Sequence, residues 1–114
     1  MSTNLAGIRS NPIMVSGTGD LVIDCAGWTI IHAHAKAVGG NAVVKLTNSA
    51  STQFLFLMTE QDEVGGRSIT FDPVGVILAN PAPTQTLTPG GMDCWIFGHM
   101  MATWHQHAFS ADVR

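Results

Sequence analysis

Clusters of turn-forming residues interrupt this chain at short intervals, and no stretch between them keeps a 3.6-residue apolar period long enough for a core helix. Gly39-Gly40-Asn41 and Gly65-Gly66 offer positive φ without steric cost, Asn80-Pro81-Ala82-Pro83 withholds ladder donors, and Pro89-Gly90-Gly91 is strong turn chemistry. The segments left between these breaks read as strands at 20–25, 28–37, 42–47, 53–61, 67–72, 74–78, 84–88, 92–99 and 103–109. This pattern predicts an all-β fold, a single-domain antiparallel β-sandwich of jelly-roll type with about nine short strands. Residues 1–19 are polar and broken by Pro12, Gly17 and Gly19, and read as an extended N-terminal arm ahead of a sandwich domain at 20–114.

Composition adds a constraint on assembly. The chain has 114 residues, 46 % of them hydrophobic and only 11 % charged, about half the charge of an ordinary soluble domain. So few charges cannot keep a monomer's surface soluble in the usual way, and obligate assembly is the simplest escape. No run approaches the roughly 20 apolar residues of a membrane span, and the N-terminus lacks a basic-then-apolar signal layout. The expectation is a soluble chain with no membrane partner. With a net charge of −3 and five scattered basic residues, no phosphate-neutralising patch forms, which argues against nucleic acid.

Two strands lack the alternation of a half-solvated sheet. In the stretch QFLFLM, Phe54, Phe56 and Met58 oppose Leu55 and Leu57, and in MDCWIFGH, Cys94 and Ile96 oppose Trp95 and Phe97. Both faces call for burial, and with no helix to cover the second face another copy of the chain is the natural cover. Trp95, Phe97 and Trp104 are expected at this subunit interface, with Met100 and Met101 as an apolar hairpin tip.

The segment WTIIHAHAKAVGG places His32 and His34 on one strand face opposite Ala33, Ala35 and Ala37. A His-x-His pair opens the metal site of many β-barrel enzymes, and His105-x-His107 repeats the spacing. Where such a site wants a Glu, however, the chain has Ala37 and Val38, and the nearby charge is Lys36, a cation beside the would-be metal. Half-exposed strand histidines are the simpler reading, with His32 and His34 the candidates if a metal binds, or if symmetry gathers one His from each subunit. No cofactor is expected, and no catalytic constellation pairs Asp24, Asp72 and Asp93. Cys25 and Cys94 permit one disulfide, but read more simply as buried small hydrophobes.

From Asp20 onward the order of motifs resembles a β-rich module of bacteriophage virion proteins, found in tail-fibre tips and head-decoration proteins. LVIDCAGWTIIHAHA is similar to its opening strand pair, NAVVKLTNSASTQFLFLMTEQDEVGGRSITFD to its central part, and APTQTLTPGGMDCWIFGHMMATW to its close, with Trp104 at the expected tryptophan. Met100-Met101-Ala102-Thr103 stand where such modules often carry Asp-Gly-Thr-Asn. The resemblance implies a homotrimer without enzymatic activity, built into a virion assembled in the host cytoplasm. With only about twenty residues ahead of the domain in place of a long shaft, a capsid decoration protein on the major capsid protein is favoured, and a receptor- or glycan-binding tip is the alternative.

Overall fold

The computed structural model describes residues 7–9 and 11–113. Among them the protein is all-β: β1 (Ile13–Asp24), β2 (Ile30–Thr47), β3 (Gln53–Gln61), β4 (Ile69–Phe71), β5 (Val76–Ile77), β6 (Met92–Met100) and β7 (Thr103–Ser110). All seven belong to one sheet, ordered β1-β2-β3-β6-β7-β5, with β4 also on β2.

An 18-residue strand such as β2 would run about 59 Å if straight, yet the molecule's longest dimension is 45 Å. The bend lies at the glycines. Between the pairs Gly17↔Ala37 and Gly19↔Ala42, the lone Thr18 of β1 faces residues 38–41 of β2. Gly39 adopts φ 79° there, and the Thr18 hydroxyl donates to the Asn41 carbonyl at 3.0 Å. Before the corner β2 pairs with β3 (Ile30↔Phe54 to Ala37↔Gln61), and beyond it with β4 (Ala42↔Ile69 to Val44↔Phe71), all parallel.

Residues 13–24, 30–47 and 53–71 are therefore three successive passes stacked in register, each cornered at the same level, in a β-solenoid-like arrangement. This explains an otherwise unusual connection length. Parallel neighbours normally need a dozen or more residues to cross back, but here 25–29 and 48–52 suffice, because each bent pass returns close to where it began. The antiparallel hairpin β6–β7 then extends the wall containing β3.

The two walls enclose one core. Ile31, Ala33, Ala35, Leu55, Leu57, Trp95 and Phe97 line one side, and Leu21, Ile23 and Val44 the other. Phe71, on β4, packs edge-on against Trp95 and Phe97 with ring centroids 4.9 and 5.2 Å apart. The core side chains of β2 are mostly small alanines, and those of β6 are the large aromatics Trp95 and Phe97.

Buried polar side chains staple the corners and turns. Gln53 donates to the carbonyls of Cys25 and Trp28 and accepts from Ala50 N, holding two turns of successive passes together. At the other end of β3, Gln61 exchanges two 2.7 Å bonds with the Arg67 backbone. Asp62 beside it accepts from the backbone of Gly39, Val64 and Gly65 and from Arg67 Nε. Gly65 is required there, because at φ +76° a Cβ would lie 2.7 Å from Leu87 O and 2.8 Å from Pro89 N.

Several sequence expectations are corrected. The sheet is mixed instead of antiparallel, and among the described residues seven strands replace nine: 20–25 is only the second half of β1, 28–37 and 42–47 are two halves of β2, and 84–88 is not a strand. The arm does not extend to residue 19, because residues 13–19 form the first half of β1, with Ile13 and Val15 packed on the core. Gly7 accepts hydrogen bonds from Thr29 and Ile30, so pairing starts before Pro12. Residues 1–6 and 10 of the expected arm lie outside the described residues.

A candidate interaction face on the outer sheet

The register of the wall formed by β1, β2, β3, β6 and β7 fixes what its outward face presents. Met14, His34, Met58, Cys94 and Ser110 form one row across five strands, and His32, Phe56, Ile96 and Ala108 form the next. Phe54 then lies opposite Gly98, with His105 beyond it. The same strand alternation that puts Ala33, Leu57 and Trp95 inside puts these residues outside.

Apolar groups dominate this face. Met14 is 64 % exposed, Phe54 45 % and Met100 51 %, and Phe56, Met58, Met92 and Ile96 are half-buried. Gly98 keeps the surface low beneath His107, whose imidazole nitrogen would come within 2.8 Å of a Cβ at that position. Charge is confined to one end. Glu60 accepts from His34 Nε2 at 2.6 Å and lies 3.6 Å from Lys36 Nζ. Since an ionised carboxylate only accepts, His34 donates through Nε2, and Nδ1 is the ring nitrogen turned away from Glu60.

The histidines have separate fates. His32 is exposed and stands edge-on to Phe56 at 5.7 Å, and His34 is held by Glu60. The carboxylate missing downstream of HAHAKAV is thus supplied by the next pass of the chain, where Glu60 is the one charged residue on the outward side of β3. That alternation was the available signal, but linking it to His34 needed the parallel register. His99 is buried, bonded through Nδ1 to the Ala50 carbonyl and packed on Trp104. His105 pairs with the Thr103 hydroxyl, and His107 is the extra residue of a bulge, so the second His-x-His does not repeat the geometry of the first. Among the described residues no three His, Cys, Asp or Glu side chains gather as a metal site.

The expected interface residues divide sharply. Trp95, Phe97 and Trp104 are 3 %, 0 % and 2 % exposed and belong to the core of a single protomer, a correction of their expected subunit contact. Their indole N–H groups are satisfied internally, Trp95 by Thr59 Oγ1 at 2.9 Å and Trp104 by Ser49 Oγ at 2.8 Å. Met100 and Met101 are exposed as expected, Met101 at 92 %. Cys25 is in the core and Cys94 on the outer face, so both are free and the sheet itself separates them. Burial pushes the Cys25 thiol up to about 12.

No family model, curated protein or solved structure matches this chain. No helix among the described residues is long and apolar enough to cross a membrane.

Proposed function

We propose that this chain is a structural protein of a bacteriophage virion, a homotrimer seated on the capsid surface as a decoration protein, with no enzymatic role. The observation that carries the assembly part is the outer face of the β1–β2–β3–β6–β7 wall. Phe54, Phe56, Met58, Ile96 and Met100 make an apolar surface on a chain with only 11 % charged residues, and contiguous patches of this kind mark contacts between proteins. Other copies of the same chain are the occupant that also relieves the chain's shortage of surface charge. The virion part rests on the resemblance of the motif order from Asp20 to Trp104.

The receptor-tip alternative would use Trp and His side chains to hold a glycan. Trp104 and His99 do line a depression of about 280 Å³ with Leu46, Ser49 and Val76. The Trp104 indole N–H bonds inward to Ser49 and His99 Nδ1 to the Ala50 carbonyl, which favours the decoration role. Sedimentation of virions decides between them: the chain should travel with tail-less heads at fixed stoichiometry. Recovery with isolated tails alone would overturn the proposal in favour of the tip.

A further inference from the structure

We infer that the outer face carries a site for a soft monovalent metal ion, Cu(I), held by Met14, His34 and Met58. These three residues lie side by side in one row on adjacent strands, His34 in the middle with a thioether on each side. Neighbouring strands are about 4.8 Å apart, so two flexible methionine side chains can close over the ion from either flank while the imidazole meets it from below. A depression of about 340 Å³ lies over this row, lined by Pro12, Met14, His32, His34, Phe56, Met58 and Cys94.

The donor set selects the ion. Two thioethers and one neutral imidazole suit Cu(I), whereas Mg²⁺, Ca²⁺ and Mn²⁺ want carboxylate and carbonyl oxygens. The Glu60 carboxylate accepts a hydrogen bond from His34 Nε2, which leaves Nδ1 as the ligand atom and holds the ring, as an outer-shell carboxylate does in metal sites. Cys94 follows Met58 in the same row and places a thiol beside the site. Cys25 does not compete, since it lies in the core with a thiol that stays protonated. All three ligands come from one protomer, and because Met58 also belongs to the face assigned above to contacts between copies, binding is measured on the Phe54→Glu chain as well as on the wild type.

The test is anaerobic competition for Cu(I) against a colorimetric Cu(I) chelator, using the full-length chain and ascorbate to keep the metal reduced. The wild type should take one Cu(I) per chain. The double variant Met14→Leu/Met58→Leu keeps the apolar volume and should weaken binding at least tenfold, as should His34→Gln, while Met101→Leu, which removes an exposed thioether outside the row, should bind like wild type. Circular dichroism of each variant checks folding. A wild type that leaves all Cu(I) with the chelator, or a folded Met14→Leu/Met58→Leu variant that binds undiminished, would overturn the site. Binding lost only in Cys94→Ser would also overturn it, by placing the ion on the thiol alone.

Discussion

Single side chains at the ends of β3 show how a chain with few charges spends its polar groups. Thr59 is 3 % exposed and its hydroxyl is the partner of the Trp95 indole. Thr59→Val keeps the shape but strands a buried N–H, which should cost about 1–3 kcal/mol in denaturant unfolding. Asp62 is the corner's anion. Backbone N–H donation from Gly39, then from Gly65, with Arg67 Nε and Val64 N, holds its carboxyl down from 3.8 to about 2, against the opposing effect of burial. Because the folded value is depressed, the charged form favours the fold: its contribution is complete above about pH 3.8 and disappears as pH falls towards 2. Wild type and Asp62→Asn should therefore differ in melting temperature at pH 6 and converge near pH 2. A difference that stays constant over this range would show that the carboxylate's charge is not what the corner uses.

Strands were legible in the sequence where alternation or a break announced them, and 53–61, 92–99 and 103–109 match β3, β6 and β7 to within a residue or so. Register across parallel strands was not legible. Nothing local in HAHAKAV distinguishes a strand that ends at Gly39-Gly40 from one that bends there and continues to Thr47, since glycine permits both. The string 13–19 looks like an arm because Gly17 and Gly19 interrupt it and, of its three large apolar residues, Met14 faces water while Ile13 and Val15 pack on the core. Removal of residues 1–19 should consequently unfold or strongly destabilise the protein, by losing the first half of β1, instead of leaving a folded core. Circular dichroism and melting of the truncated chain check this. The β6–β7 hairpin turns on Met101 and Ala102, with φ of 53° and 68°. Positive φ at both positions is the type I′ turn that Asn-Gly fits best, and side chains with a Cβ are strained there. Met101→Asn/Ala102→Gly should raise stability by about 1 kcal/mol in chemical denaturation. A loss would show that the Met-Ala pair packs against something a monomer does not reveal.

At the scale of the molecule, the apolar outer face was half legible. Two-sided apolar strands signalled a second buried face, but which side of β6 faced inward depended on the folded walls, and they claimed Trp95 and Phe97 and left Cys94, Ile96 and Met100 outside. The proposed homotrimer covers this outer face with other copies of the chain. Mass measurement by light scattering in dilute neutral buffer tests it most directly, on the wild type and on Phe54→Glu, which puts a charge on a side chain 45 % exposed in the protomer. A buried charge without a partner at such a contact should cost at least tenfold in association. The wild type should run as three chains of 12.1 kDa, about 36 kDa, and the variant as a folded single chain. A wild type that stays at 12.1 kDa and soluble at micromolar concentration would show that the outer face meets solvent and needs no second copy.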